Sequence, residues 1–162
     1  MFDLDSTDLR ILALLQENAR ISNAEIARQL GMAPSAIFER IKKLEQKDVI
    51  AGYEGRLAPK ALGLGLLCFV FVRAEEPGGA VETGERLTAI PEVLEVHHVA
   101  GEDCYLVKCR AADTDDFARI LRERFSAIPT IRSTRTTIVL SSLKETGRLP
   151  LAHLRSEATD AA

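Results

Sequence analysis

Hydrophobic positions in the first third of the chain recur at helical spacing. Leu9, Ile11, Leu12 and Leu15 share a face of a segment that Asp5 or Ser6 can cap. The pattern breaks at Arg20-Ile21-Ser22. Ser22 with Glu25 then forms a capping box, in which hydroxyl and carboxylate satisfy free amides at a helix start, so a short helix is predicted over Asn23–Leu30. Gly31 supplies a turn, and Pro34 suits a first helical position, where its missing N–H costs nothing. A third helix is predicted over 35–47. Past Asp48 the period shortens, and Val49 to Leu57 reads as a two-stranded hairpin with glycines near its turn.

Pro59, Gly63 and Gly65 mark a junction, with the hinge at 61–65. Beyond it the elements alternate. Strand 66–73, a turn over 75–79, helix 80–89, strand 93–99, a turn at Gly101, strand 104–110, helix 114–128 and strand 130–140 follow in order. This is β-α-β-β-α-β, the ferredoxin-like succession, so the class is α+β. The predicted organisation is a helical domain over 1–60, the hinge, a sheet domain over 66–146, and a loosely held tail over 147–162. Leu66 to Val72 is apolar at consecutive positions and therefore on both faces of its sheet. Helices cover one face only. A second copy of the same sheet is the predicted cover for the other, the alternative being a long tail folding back.

On a wheel of about 100° per residue, Ile37, Ile41 and Leu44 form the buried stripe of the third helix. Ser35, Glu39, Lys42 and Gln46 point away, Phe38 and Lys43 flank them, and Arg40 lies nearer the buried edge. A short helix, a tight turn, a helix with a basic-leaning outer face and a hairpin are the parts of a winged helix-turn-helix. Ser35, Phe38, Glu39, Lys42 and Lys43 are the candidates for a DNA groove, with Arg40 and Arg56 near phosphates or in structural pairs. An outward carboxylate repels phosphate, so Glu39 is expected to pair with Lys42 or Lys43 rather than accept from a cytosine amino group.

Charge sharpens this picture. The 162 residues carry a formal charge of −3, which on its face disfavours nucleic acid, yet residues 35–60 carry +2 and residues 61–162 carry −3. Local charge that modest implies weak binding by one head and useful affinity from several held together. No run of about 18 uncharged apolar residues is present, and the acidic start lacks the basic and apolar regions of an export signal. Cys68, Cys104 and Cys109 fall in strand-like runs without CxxC spacing, as reduced thiols would. A cytoplasmic protein without a membrane span is expected.

The turn before Cys104 reads as a hairpin turn with solvated acids beside a threonine-rich edge, or as a site for a small ligand. Gly101 lets backbone amides approach a carboxylate, Glu102 or Asp103 can accept an ammonium, and Thr134 and Thr136, alternating to one face of the last strand, can add hydroxyls. Enzyme chemistry is not indicated. His97 and His98 are adjacent in a strand and face opposite sides, so they cannot join one metal site, and no phosphate loop or recognisable acid pair is present. No catalytic residue, metal or cofactor is assigned.

The succession Leu4-Asp5, Asp8, Ile11-Leu12, Glu25-Ile26-Ala27, Leu30-Gly31, Arg40 to Glu45, Val49-Ile50, Gly52-Tyr53 and Leu62-Gly63 resembles the Lrp/AsnC (leucine-responsive / asparagine regulator) family of transcription factors. The likeness continues through Ile90 to Val93, Gly101 to Lys108 and Thr134 to Leu140, covering nearly the whole chain. The resemblance implies a DNA-binding winged helix-turn-helix, a ferredoxin-like domain that dimerises through its sheets and assembles to tetramers or octamers, and small effectors, usually amino acids, bound near subunit contacts. Two departures stand out: Ala33 replaces the usual capping serine before the third helix, and Gly101-Glu102-Asp103-Cys104 shifts the usual Gly-x-x-Asp carboxylate by one residue. From another class, the alternative is a metabolite-sensing oligomer whose helical half binds a protein partner.

Overall fold

Three helices open the chain: α1 (Ser6–Glu17), α2 (Asn23–Leu30) and α3 (Pro34–Gln46). The computed structural model describes residues 4–77 and 80–152. Gly78, Gly79 and residues 153–162, parts of the expected turn and tail, lie outside the described residues. The chain divides into two units, Met1–Arg56 with Glu145–Ala162, and Leu57–Lys144.

Asp5 caps α1 in a full box, accepting from the Asp8 amide at 2.8 Å while Asp8 accepts from the Asp5 amide at 3.4 Å. The box predicted at α2 forms only by half. Ser22 Oγ accepts from the Glu25 amide at 3.2 Å, but the Glu25 carboxylate turns to Arg28 and Gln29 instead of back to Ser22. Gly31 closes α2 at φ 67°, a left-handed conformation that only glycine adopts cheaply. Ala33 gives α3 no side-chain cap. Ile11, Ile26, Ala27, Ile37, Ile41 and Leu44 form the core between the helices.

The hairpin expected over Val49 to Leu57 does not form. The Val49 and Ile50 amides both bond to the Leu44 carbonyl, and the residues up to Ala58 carry no strand. A hairpin needs a partner strand, and this segment finds a helix instead, the Tyr53 hydroxyl donating to Glu45 Oε1 at 2.9 Å. The start of the tail also departs from expectation. The Gln16 side-chain amide donates to the Leu149 carbonyl and accepts from its N–H, and Arg148 donates to the Glu17 carbonyl, so these residues are strapped to α1 rather than loose.

In the second unit a short turn, Pro59–Leu62, precedes β1 (Leu66–Ala74), α4 (Glu82–Thr88), β2 (Val93–His98), β3 (Tyr105–Ala111), α5 (Thr114–Ile120) and β4 (Ile131–Ile138). Helix α5 ends earlier than predicted, in a wider turn over Leu121–Phe125. The sheet order is β2-β3-β1-β4 and every pair is antiparallel, the ferredoxin-like arrangement. Cys68, Val70 and Val72 of β1 and Tyr105, Val107, Cys109 and Ala111 of β3 point to the helix side. There they pack with Leu87, Phe117, Ile120 and Phe125. Cys68 and Cys109 are directly opposite and fully buried. Burial, reinforced by Cys68, Glu92 and Asp116 nearby, pushes the Cys109 thiol up to about 12, so it stays protonated.

Glu76 organises the end of this sheet. Its carboxylate accepts from the Thr83 amide at 2.6 Å, in the first turn of α4, and from the Tyr105 hydroxyl at 2.9 Å. The buried Thr83 hydroxyl meets that of Thr130 at 2.6 Å, and Gly84 lies under the Tyr105 ring, which leaves no room for a larger residue.

The other face of the sheet carries Leu67, which is buried, and Phe69, Phe71 and Leu106, while among the described residues α4 and α5 pack on the opposite side. The chain's own charged side chains cover part of it. Lys108, opposite Phe69, is only 13% exposed and bonds Glu95 at 2.9 Å, while the Arg135 guanidinium stands 4.0 Å from the centre of the Phe71 ring. Ile138, paired with Cys68, is exposed on the helix-side face instead.

Candidate functional site

On α3, Ser35, Phe38, Glu39, Lys42 and Lys43 are all exposed. Helical spacing gathers them on one side because Ile37, Ile41 and Leu44 are committed to the core. The expected pairing of Glu39 with a lysine is absent. Among the described residues neither Glu39, Lys42 nor Lys43 makes an ion pair, so both ammonium groups and the carboxylate face solvent. Phe38, 53% exposed, walls an open groove of about 450 Å³ with Leu15, Ile21, Lys42 and Tyr53. Its ring is thus partly a flank of the helical unit and partly free.

Arg40 and Arg56 take the structural alternative. Arg40 reaches both acids of the α1 box, Asp5 and Asp8, each at 2.7 Å, which pins α3 to the start of α1. Partial burial alone would raise the Asp5 carboxyl, but the Asp8 amide and the Arg40 guanidinium outweigh it and hold Asp5 below the ordinary value. Arg56 donates to the Glu145 carbonyl. Neither guanidinium is idle, and the basic surface of α3 comes down to Lys42 and Lys43.

In the sheet unit the turn between β2 and β3 is closed by the Val99 amide on the Cys104 carbonyl, and the Cys104 amide bonds to Val72 of β1. Gly101 has φ 134°, and a Cβ there would meet nothing within 4 Å, so the turn is open at this point. Glu102 is exposed. Asp103 is engaged, accepting from the Arg135 guanidinium at 2.9 Å. The structure therefore separates the five residues grouped by sequence. Thr134 and Thr136 pair with Val72 and Val70 and share their helix-side face, whereas Arg135 between them takes the opposite face and is the β4 residue that meets Asp103. A ligand touching Asp103 and both threonines would have to wrap around the β4 edge.

His98 stacks on Tyr105 with ring centres 5.1 Å apart, and His97 approaches Glu95 at 3.3 Å. Among the described residues no three His, Cys, Asp or Glu side chains are grouped to hold a metal. Tyr53, Glu76 and Arg135 were missed by the sequence reading. Glu76 meets Tyr105 and Arg135 meets Asp103 across 29 and 32 residues, for which local spacing carries no signal, and Tyr53 meets Glu45 across a segment that was expected to be a hairpin.

Comparison with known proteins bears on both units. Residues 4–51 match a family model described as winged helix-turn-helix DNA-binding, and residues 67–149 match the Lrp/AsnC ligand binding domain. The leucine-responsive regulatory protein of Haemophilus influenzae is 36% identical over 151 residues, 91% of this chain and 90% of that protein. Its namesake from Escherichia coli K12 is 34% identical, with 91% of each chain covered. Among solved structures, a transcriptional regulator from Neisseria meningitidis in complex with L-methionine superposes with a TM-score of 0.87 at 32% identity, covering 93% of this chain and 99% of the other. Escherichia coli AsnC gives 0.85 at 29% identity, covering 92% and 100%. No helix among the described residues is long and apolar enough to cross a membrane.

Proposed function

The chain belongs to the Lrp/AsnC family of DNA-binding transcription regulators, and from that we propose a division of labour between its units. The outer face of α3 enters the major groove: Ser35, Phe38 and Glu39 meet base edges, and Lys42 and Lys43 meet phosphate. The observation that carries this is the contrast along α3 itself. Arg40 is spent on Asp5 and Asp8, whereas Lys42 and Lys43 have no acidic partner among the described residues. Arg40 and Arg56 then shape the head without touching DNA.

The turn at Gly101, Glu102 and Asp103 receives a free amino acid. Support comes from the ligand-binding family model over residues 67–149 and from the L-methionine complex of the Neisseria relative. The open sheet face, with Phe69 and Phe71 beneath charged side chains, meets the same face of a second copy, and the dimers assemble further to tetramers or octamers. In this reading the protein acts in the cytoplasm as a regulator and not as an enzyme.

Retention on random duplex DNA at low salt, lost near about 0.3 M, is the first test, since phosphate contacts are salt-labile. In the slope of log affinity against log salt, Lys42→Ala and Lys43→Ala should each remove about one unit if each touches one phosphate. Unchanged slopes in both variants would reject the assignment. Ser35 or Phe38 substitutions should change which sequences are preferred.

A further inference from the structure

One side chain of α1 reads both backbone groups of a residue far along the chain. The Gln16 amide accepts from the Leu149 N–H at 2.6 Å and donates to the Leu149 carbonyl at 3.1 Å, while the Leu149 side chain is 71% exposed. We infer that the end of α1 is a docking surface for an extended peptide, filled by residues 145–149 of the same chain, and that this strap tethers the DNA-binding head a second time. With the strap closed, neighbouring heads hold one duplex more tightly. The inference rests on the assembly of copies proposed above and adds to it the device that restrains each head.

The chemistry at α1 suits a peptide. A primary amide carries a donor and an acceptor side by side, the complement of the N–H and C=O of one residue, so Gln16 does for Leu149 what a neighbouring strand would do. Pro150 biases the residue before it toward extended backbone, the form in which both groups of Leu149 point to one side. The last carbonyls of a helix lack intrahelical partners and favour a cation, yet α1 has no basic residue in its last turn. Arg148 supplies one, donating to the Glu17 carbonyl at 3.3 Å from 131 residues away. Its own amide bonds to Thr146 Oγ1 at 3.1 Å, a local bond that shapes the strap around Gly147.

The strap changes how the head is attached. The chain leaves the helical unit after Arg56 and returns at Glu145, and the Arg56 guanidinium bonds to the Glu145 carbonyl, joining residues 89 apart. Without the strap the head hangs on one passage, through Pro59, Gly63 and Gly65; with it, the head hangs on two. A head on two passages samples less space. Its effective concentration at a second half-site is higher, and it loses less orientational freedom on binding. The strap also leaves the DNA face clear, because it bonds to α1 while Ser35, Glu39, Lys42 and Lys43 stay exposed on α3. It remains closed on DNA and acts as a tether, not as an inhibitor.

The test uses the full chain and two random duplexes at low salt, one of about 12 base pairs that takes a single head and one of about 40 that takes several. Leu149→Pro removes the N–H that Gln16 accepts, and Gln16→Ala removes both of its bonds. Each should bind the long duplex about tenfold more weakly than wild type and the short one within about threefold. Leu149→Ala keeps the backbone and should match the wild type on both. In Gln16→Ala the Leu149 amide should also exchange its hydrogen about fivefold faster, as the loss of one hydrogen bond implies. Melting curves confirm that each variant is folded. Three results would each overturn the inference and leave the assembly reading standing: wild-type affinity of Leu149→Pro and Gln16→Ala for the long duplex, an equal loss on the short one, or a loss in Leu149→Ala as large as in Leu149→Pro. A Leu149 amide that exchanges as fast in the wild type as in a free peptide would overturn it too. If the wild-type chain binds the long duplex no better than its larger number of sites requires, the assembly reading falls and the inference with it.

Discussion

The two units use charge in opposite ways. In the helical unit the pairs of Arg40 lie between elements, joining α3 to the start of α1 through Asp5 and Asp8, and two lysines on α3 are left over. In the sheet unit two pairs lie across an apolar face, Lys108 on Glu95 beside Phe69 and Arg135 on Asp103 above Phe71. A three-helix head can direct most of its large apolar side chains inward, Phe38 excepted, and so can leave Lys42 and Lys43 free for a partner. A four-stranded sheet with helices on one side cannot, and long charged side chains cover part of what remains. The difference teaches where each unit keeps its unfilled valence. The head keeps it in unpaired ammonium groups, and the sheet keeps it in an apolar face under ion pairs, of which the more exposed, Arg135 on Asp103, is cheap to open.

The strongest way to break this comparison is to remove one unit and ask whether the other persists. Ile37 is fully buried in the head's small core. Ile37→Ala should cost the helical unit about 3 kcal/mol, from lost transfer energy and the cavity left behind. The matched change in the sheet unit is Gly84→Ala, whose Cβ would lie 2.8 Å from the Tyr105 ring and 3.4 Å from its Cζ. Moving that ring breaks its bond to Glu76, and we expect a loss of about 2 kcal/mol. The chain has two tyrosines and no tryptophan, Tyr53 in the head and Tyr105 in the sheet unit. Tyr53→Phe and Tyr105→Phe backgrounds therefore let urea unfolding be read for one unit at a time by tyrosine fluorescence. Ile37→Ala should shift only the Tyr53 transition and Gly84→Ala only that of Tyr105. A shift of both by either variant would show that the units unfold together.

A smaller effect sharpens the contrast along α3. Arg40→Ala should lower the stability of the head by about 1 kcal/mol, since the guanidinium is part-buried and bonded twice. Its salt slope for DNA should stay that of the wild type. If the slope instead falls by about one unit, as for a phosphate-contacting lysine, Arg40 leaves its acids to meet DNA.

These residues also mark what the sequence made legible. The helices could be read because caps and apolar repeats are local signals: α2 runs over Asn23–Leu30 as its spacing implies, and α3 starts at Pro34, one residue before the predicted position. The ferredoxin-like order followed from the alternation of periods for the same reason. The hairpin was misread because Val49 to Leu57 has strand-like residues but its aromatic anchor, Tyr53, finds Glu45. Ser22 and Glu25 suggested a full capping box, but Arg28 and Gln29 compete for the same carboxylate one turn on. For the candidate sites, the outward set on α3 was legible, whereas the engagement of Arg40 and of Asp103 was not. Arg40 is 32 residues from Asp8, and Arg135 is 32 residues from Asp103, and no period connects such positions. Alternation did put Thr134 and Thr136 on one face. Only the register with β1 shows that Arg135 on the other face is the residue beside the turn.

The smallest expected effect concerns acid. Glu76 serves the sheet unit as Arg40 serves the head, joining distant elements, but it is a carboxylate and so its contribution depends on pH. Burial alone would raise its pKa, yet the Thr83 amide and hydroxyl, the Tyr105 hydroxyl and the charge of His98 outweigh it and hold Glu76 below the ordinary 4.5. A carboxyl depressed in the folded state adds stability above its unfolded value and loses it as pH falls through the folded value. The Tyr105 transition should therefore move to lower urea as pH drops below about 4.5, and Glu76→Gln should start lower at neutral pH and move less. The Tyr53 transition has its own acid limb, through Asp5 and Arg40, and Glu76→Gln should leave that limb unchanged. Equal flattening of both transitions would mean that Glu76 stabilises the chain as one body, and the separation of charge between head and sheet would no longer hold.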